Sequence, residues 1–530
     1  MLFTSYEFIG FLLILLIVYY LIPKKCQWVL LLVSSYVFYC FASPVYLIYI
    51  LTTTLTVYGA AYLMDRNLEG QSEYLKLNKE KLDREAKKTY KNRQKKVRRR
   101  YMVACILLNV GILVVVKYTN FLIGNVNAVF QAFGQGEKLS FVTIALPMGI
   151  SFYTFQAMGY LIDVYRGTIR AEKNPFKFAL FVSFFPQLVQ GPISRFADLG
   201  SGLYKEHSFD WKQISFGLQR VLWGYFKKLV IADRIFTAVS AIIGDIDTYH
   251  GAYAFAGMIF YTIELYADFT GGIDITIGAA QMLGIPVCEN FERPYFSKSL
   301  KEYWRRWHIT MCSWFRDYIF YPVSTSKALQ KFSKFSRKHF EDRVGKRLPV
   351  YVSSFVVWST TGIWHGASWN FIVWGLFNWA VLMISEELEP LYQRFHEKFH
   401  MDTKPGYQLF QIGRTFLLIC ALNMFDCYVS VKDTFRAFAS MFTTPNWQIF
   451  GNGALLDLGL TMLDYGILLV GVLILFTVSL VQRSGSVRER IYGKPYPVQF
   501  LIWFGLFVVI LLIGAYGVGY DSSQFIYNRF

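Results

Sequence analysis

The 530-residue sequence predicts an all-α polytopic membrane protein, and three observations lead there. Apolar residues make up 54% of the chain and aromatic ones 18%, with a positive mean hydropathy. Apolar runs long enough to cross a hydrocarbon core of about 30 Å, which takes about 20 helical residues, recur along its whole length. The basic residues, which give a formal net charge of +18, fall in blocks between those runs. Spread along one surface, such a charge would point to nucleic acid. Gathered between spans it follows the positive-inside rule, and no nucleic-acid partner is expected.

The first element lies in MLFTSYEFIGFLLILLIVYYLIPKK. It lacks a basic stretch ahead of its apolar run and a small-residue cleavage site, and is read as a retained span (6 to 22), not a signal peptide. The other clear spans are 27 to 43, 45 to 64, 101 to 117, 252 to 269, 351 to 367, 370 to 385, 408 to 425, 458 to 482 and 497 to 518. Five further stretches, 118 to 132, 143 to 162, 178 to 193, 215 to 232 and 234 to 249, are shorter or are interrupted by Pro, Gly and charge. They read as tilted, re-entrant or interior helices, tolerated where protein or a water-filled cavity covers the backbone.

The basic blocks at 65 to 100, 327 to 347 and 483 to 494 are expected to be cytosolic loops, which places both termini outside. Such blocks could attract a polyphosphorylated donor or anionic headgroups, but the plainer reading is a topology signal. Neither an internal repeat nor a matched pair of broken helices is visible, which weighs against inverted-repeat transporters. The seven cysteines (26, 40, 105, 288, 312, 420 and 427) include no CxxC pair. They read as small buried hydrophobes, and no metal site is expected.

Four segments depart from a plain bundle. In LPMGISFYTFQAMGYLIDVYRG (146 to 167), Pro147, Gly149, Ser151, Thr154, Gln156 and Asp163 interrupt a span. In FVSFFPQLVQGPISR (181 to 195), Pro186 and Pro192 on either side of Gln187 forbid a continuous helix, giving a re-entrant loop that either packs the bundle or meets substrate. ELYADFTGGIDITIG (264 to 278) sets Glu264, Asp268 and Asp274 near the end of a span. Acids at that depth mark an aqueous cavity or paired charges. Gly271 and Gly272 are expected to break the helix between the two aspartates. In the fourth segment, residues 290 to 322, Trp304, Trp307 and Trp314 alternate with Arg305, Arg306 and Arg316. That pattern reads as an amphipathic interfacial helix carrying His308 four residues after Trp304, on the same face.

His365 stands apart. It lies in TGIWHGASWNFIVWGLFNW (361 to 379), where nearly everything else is apolar, aromatic or small, whereas five of the other six histidines fall in polar or loop-like stretches. A neutral imidazole at membrane depth can take a proton from a hydroxyl, or be a buried side chain bonded to a carbonyl. Gly362 and Gly366 beside it would let a substrate or another helix approach.

Taken in order, LPMGISFYTFQAMGYLIDVYRG, FFPQLVQGPISR, ADFTGGIDITIG, ENFERPY, EYWRRWHITMCSWFRDYIFYP and GIWHGASWNFIVWG closely resemble the motif series of the membrane-bound O-acyltransferase family. The resemblance spans roughly residues 140 to 380 and falls in the bacterial polysaccharide O-acetyltransferase branch, the one that includes the alginate O-acetylation membrane proteins. The closing FIYNRF is similar to that branch's aromatic ending, with Asn528 and Arg529 in place of the usual aromatic and polar pair. The resemblance implies a helical bundle around a transmembrane tunnel, with about ten to thirteen membrane helices plus re-entrant and interfacial ones. It divides the chain into N-terminal helices (1 to 64), a basic cytosolic segment (65 to 100), a catalytic core (101 to 385) and C-terminal helices (386 to 530).

By the same resemblance the family's catalytic histidine is matched by His365 in the WHG motif, and a second polar position by His308 in WRRWH, 57 residues upstream. Trp304, Trp307, Trp364, Asp268, Asp274, Gln156 and Gln187, which share these motifs, are candidates for the tunnel and its substrate contacts. The implied reaction moves an acyl group, foremost acetyl, from a cytosolic thioester to an extracytoplasmic polysaccharide. Acetyl-CoA serves as substrate, with no bound cofactor, and a separate extracytoplasmic acyltransferase finishes the transfer. The chain is then a multi-pass protein of a bacterial inner membrane. Two alternatives stand beside this: D-alanyl transfer to teichoic acid from a carrier protein, and a proton-coupled glycan or lipid transporter.

Overall fold

The computed structural model describes residues 2–401 and 403–516, so the FIYNRF ending lies outside the described residues. These are helices and connecting loops, with no strand among them. Six helices are long and apolar enough to cross a membrane, within 44–77, 84–132, 369–399, 405–427, 462–484 and 496–513, and Tyr6–Leu21 adds a shorter apolar one. Many large apolar side chains on these helices face outward, Leu107, Val115, Leu469 and Leu512 among them. That pattern suits lipid as the surrounding solvent.

The chain divides into two compact units, Met1–Ile214 with Ala280–Val287, and Ser215–Ala279 with Cys288–Phe530. The first holds α1 (Tyr6–Leu21), α2 (Gln27–Cys40), α3 (Leu47–Leu77), α4 (Arg84–Ala132), α5 (Ile150–Arg166), α6 (Pro175–Ser183), α7 (Phe185–Leu188) and α8 (Phe196–Leu203). Here the basic segment is not a loop. It prolongs α3 and α4 beyond their apolar parts as an antiparallel pair, and 101 to 117 and 118 to 132 merge into the single 49-residue α4. No proline interrupts that stretch, and Lys, Arg, Gln and Glu are good helix formers. The pair is zipped by polar contacts: Asn109 to Thr56 Oγ1 (3.0 Å), Arg98 to Asn67 (2.9 Å) and Gln71 (3.0 Å), and Tyr74 against Tyr90 with ring centroids 4.4 Å apart. The two prolines of 181 to 195 do end the helix there, leaving α6, the single turn α7 and an extended run before α8.

The second unit holds most of α9 (Trp211–Tyr225), a π-wound stretch (Phe226–Ala232), α10 (Asp233–Gly244), most of α11 (Ala252–Met282), then α12 (Leu300–Arg306), α13 (Ile309–Phe315), a second π-wound stretch (Arg316–Phe320) and α14 (Tyr321–Ser324). After these come α15 (Lys327–His339), α16 (Asp342–His365), α17 (Trp369–Phe399), α18 (Pro405–Cys427), α19 (Val431–Thr443), α20 (Met462–Val481), α21 (Val487–Tyr492) and α22 (Tyr496–Ile513).

The expected break at Gly271–Gly272 is absent, because α11 runs unbroken through both. A Cβ on Gly271 would lie 2.9 Å from the Gly224 carbonyl oxygen, and one on Gly224 would lie 2.6 Å from that of Gly271. The missing side chains let two helices touch backbone to backbone, which outweighs a helix-propensity cost of about 1 kcal/mol per glycine.

All seven cysteines are free, and only Cys105 and Cys420 are fully buried. The reading of cysteines as buried hydrophobes therefore fails for Cys26 and Cys288, which are exposed.

Candidate active site

The 290 to 322 segment is not one interfacial helix. α12 ends at Arg306, Trp307 is extended, and His308 takes a left-handed conformation (φ 50°, ψ 49°) before α13 begins at Ile309. Trp304 and Trp307 are buried, not anchored at a surface. With the helix broken between them, Trp304 and His308 do not share a helical face.

A left-handed non-glycine residue costs roughly 1–3 kcal/mol and persists only when its surroundings fix it. Here Asn290 does so. Its carbonyl oxygen accepts from Ile309 N (3.0 Å), and its side-chain Oδ1 accepts from Thr310 N (3.1 Å) and the Thr310 hydroxyl (2.9 Å). Its Nδ2 lies 3.3 Å from His308 Nδ1. The backbone bond from Glu292 N to Arg306 O (2.8 Å) clamps the same junction. His308 ends with 0% of its surface exposed.

His365 is the last residue of α16, where Gly366 turns the chain into α17. Both flanking glycines serve this corner. A Cβ on Gly362 would lie 2.5 Å from the Phe371 carbonyl oxygen, and one on Gly366 would lie 2.1 Å from the Phe371 ring. The close neighbour admitted here is therefore helix α17. His365 is half-buried and is packed by Trp374 (ring centroids 4.6 Å apart), Trp364 (5.1 Å) and Phe371 (6.2 Å).

The two histidines meet at one indole. Trp364 lies 5.1 Å from His365 and 6.1 Å from His308, and Phe269 of α11 closes on His308 at 5.0 Å. Trp304 donates its indole N–H to Asn378 Oδ1 (3.1 Å) and packs on Trp358 and Trp374. Trp307 stacks with Tyr303 and Tyr295. The result is an aromatic wall around two histidines, His308 fully buried and His365 half-buried with its ring Nε2 shielded from solvent.

Asp268 and Asp274 are placed in ion pairs. Lys228 reaches Asp268 (2.5 Å) and Asp233 (2.7 Å), while Lys227 reaches Asp274 (2.5 Å) and Thr270 Oγ1 (2.8 Å). Arg220 also bonds Asp274 (2.9 Å) and continues to Glu289 (2.5 Å). This ladder fixes the rotation of α11, and with it Phe269.

Gln156 and Gln187 lie in the first unit, where Gln156 donates to the Phe181 carbonyl (2.7 Å) and Gln187 to Ser194 Oγ (2.7 Å). Sequence reasoning missed Asn290, Asn378 and the lysine pair. The adjacent lysines of FKKL, inside an apolar stretch, are the signal that a search for partners of the acids would have found. Among the described residues no group of three or more His, Cys, Asp or Glu is arranged to hold a metal ion.

Fold and site together define a multi-pass helical membrane protein with two histidines in an aromatic enclosure. The sequence pattern of the membrane-bound O-acyltransferase family matches residues 169–429. A protein described as probable alginate O-acetylase AlgI in Pseudomonas putida is 30% identical over 465 residues, 85% of this chain and 82% of that one. The peptidoglycan O-acetyltransferase of Helicobacter pylori is 30% identical over 339 residues, covering 59% and 60% of the two chains. The teichoic acid D-alanyltransferase of Bacillus subtilis is 25% identical over 290 residues, covering 52% and 66%. The chain belongs to the membrane-bound O-acyltransferase family and is an acyltransferase, so the transporter alternative falls.

Proposed function

We propose that the chain moves an acyl group, foremost acetyl, from a cytosolic thioester across a bacterial inner membrane for O-acylation of an extracytoplasmic polysaccharide. The observation that carries this reading is the placement of His365, half-buried at a helix end against Trp364, with the sealed His308 across the same indole. The names of the O-acetylating relatives support the acetyl group and the polysaccharide acceptor.

His365 is the general base. It takes the proton of the attacking hydroxyl as a C–O bond forms at the thioester carbonyl. The C–S bond then breaks, and the proton passes from the imidazole to the leaving thiolate, so that CoA departs as its thiol. His308 orients the donor or polarises the carbonyl. Acetyl-CoA is a substrate and not a resident cofactor. The basic blocks face the cytosol, both termini lie outside, and a separate extracytoplasmic acyltransferase completes delivery to the glycan.

Mass spectrometry of surface glycans, from cells with the gene, without it, and with His365→Ala, tests this reading. Loss of about 42 Da per modified sugar in the two defective strains is the expected result for an acetyl ester. An unchanged glycan in a strain whose His365→Ala protein is inserted at normal level would sink the proposed base. Loss of an amine-bearing acyl group, with an acidic carrier protein copurifying, would favour D-alanyl transfer.

A further inference from the structure

The basic block at 327 to 347 folds into α15 and the start of α16, and the cations of the two are held differently. On α16, Arg343 and Arg347 both pair with Glu387 (3.1 and 2.9 Å), and Lys346 pairs with Asp342 (2.6 Å). On α15, Lys327, Lys331, Lys334 and Lys338 are exposed and enter no ion pair among the described residues. Their spacing of four, three and four residues sets all four within an arc of about 60° on one face of the helix.

The opposite face is the one that packs, with Leu329 and Ser336 buried and Phe332 and Ser333 half-buried. Ser336 donates its hydroxyl to the Gly345 carbonyl (2.9 Å) and Ser324 Oγ lies 3.2 Å from Ser353 Oγ, so α15 runs antiparallel along the first half of α16. Between the lysine row and the packed face, on one flank only, the helix carries Ala328 and Phe335. Phe335 is 52% exposed, with the His339 ring stacked on it at 4.2 Å, and Phe340 at the corner between the helices is 48% exposed.

The neighbouring span fixes the level of this hairpin. α17 is one of the six helices able to cross a membrane, and it holds no charged residue from 369 to 385. Its first acids, Glu386 and Glu387, therefore mark the edge of the hydrocarbon, and Glu387 is the residue that Arg343 and Arg347 grip. A topology signal needs only a count of basic residues and is indifferent to their arrangement on a face. An acidic soluble partner would meet the lysines but leave the aromatic flank in water. A lysine row beside an apolar flank, at the level where a span ends, fits an anionic bilayer surface, where ammonium groups meet phosphates and rings sink between headgroups.

We propose that α15 is a lipid-binding helix, with its four lysines and the Phe335 flank seated on the phosphate headgroups of anionic phospholipids. On the orientation given above the leaflet is the cytosolic one, but the binding itself does not depend on that orientation.

Hydrogen–deuterium exchange of the full-length protein, read by mass spectrometry on peptides covering α15, tests this in nanodiscs of phosphatidylcholine alone and of phosphatidylcholine mixed with phosphatidylglycerol. At low salt, phosphatidylglycerol is expected to slow amide exchange across 327–339 by at least about tenfold. The difference should fade toward 1 M salt, where the screening length falls to about 3 Å. Replacing the row together (Lys327→Gln, Lys331→Gln, Lys334→Gln and Lys338→Gln) keeps helix propensity and touches no packed residue, and is expected to abolish the difference. Phe335→Ser should reduce it.

Equal exchange of the wild-type helix in the two bilayers overturns the proposal without recourse to any variant, and so does an undiminished difference in the lysine variant. Protection produced in phosphatidylcholine alone by inorganic phosphate would make the row a site for soluble anions. Protection that appears only on adding an acidic protein would make it a docking surface for that protein, and either result sinks the lipid assignment. The readout involves no acyl transfer and both leaflets of a nanodisc carry the same lipids, so failure of the proposed base or of the proposed orientation leaves this result untouched.

Discussion

Along α11, Asp268 and Asp274 face Lys228 and Lys227 at 2.5 Å, and Arg220 adds a second cation to Asp274 at 2.9 Å. One residue beyond Asp268, Phe269 leans on His308, an imidazole met by an amide and enclosed by aromatic rings. The same helix thus borders two polar regions built on opposite principles. In the ladder, charges are removed from solvent and held by opposite charges, which suits fixing a helix and leaves little freedom to bind or release a proton. In the histidine enclosure the polar groups are imidazoles and amides, and a ring nitrogen can take up or give a proton near neutral pH. The contrast teaches that depth in a membrane bundle marks a polar group as consequential, while its partners decide whether the consequence is architectural or chemical.

The largest effect should come from the enclosure. His365→Ala is expected to lower acyl transfer per inserted molecule by about 10²–10⁴-fold, the usual weight of a general base, while leaving the unfolding transition in detergent within about 1 kcal/mol of wild type. The ladder should behave the other way. Lys228→Met strands Asp268 and Asp233 beside a side chain that was 1% exposed, and should destabilise the second unit by about 3–5 kcal/mol, seen as lost folded yield and a lower unfolding midpoint. Asp268→Asn is the sharper probe of the boundary between the two regions. If the ladder is architectural, activity per folded molecule stays within a few-fold of wild type. A collapse of kcat in protein that still melts normally would move Asp268 into the chemistry and erase the distinction.

How much of the molecule was readable in advance depends on the range of each interaction. Spans such as 6 to 22 and 408 to 425 were legible because length and hydropathy are local properties of the chain, and α1 and α18 follow them closely. His365 and His308 were legible through the ordered motifs that hold them. The break at Trp307–His308 was not, because its cause is Asn290, which lies 18 residues away along the chain. The alternation of Trp and Arg looked interfacial because period alone cannot say that Trp304 has Asn378 as a partner. Gly271–Gly272 looked like a break because local propensity is blind to Gly224 on a facing helix. Asp268 and Asp274 were read as marking either a cavity or paired charges, and the choice between the two depended on Lys228 and Lys227, 40 and 47 residues upstream.

Smaller perturbations sharpen the comparison at its edges. Trp304→Phe keeps most of the aromatic packing on Trp358 and Trp374 but removes the indole N–H that Asn378 accepts. The loss should be about 1–2 kcal/mol of stability, with kcat changed less than tenfold, because the indole N–H is already engaged by Asn378. Thermal melting and single-turnover acylation on the same preparation separate the two.

Glu289→Gln should do least. Its carboxylate bonds Arg220, yet 59% of the Glu289 side chain is exposed, so solvent screens the pair and its worth is about 0–1 kcal/mol. That small loss should shrink further as salt is raised toward 1 M, where the screening length falls to about 3 Å. The Lys228→Met defect should instead persist at high salt, since both partners of Lys228 are buried. Equal salt sensitivity in the two variants would mean that the inner rungs see as much solvent as the outer one, and the ladder could then no longer be set against the enclosure as a dry, fixed frame.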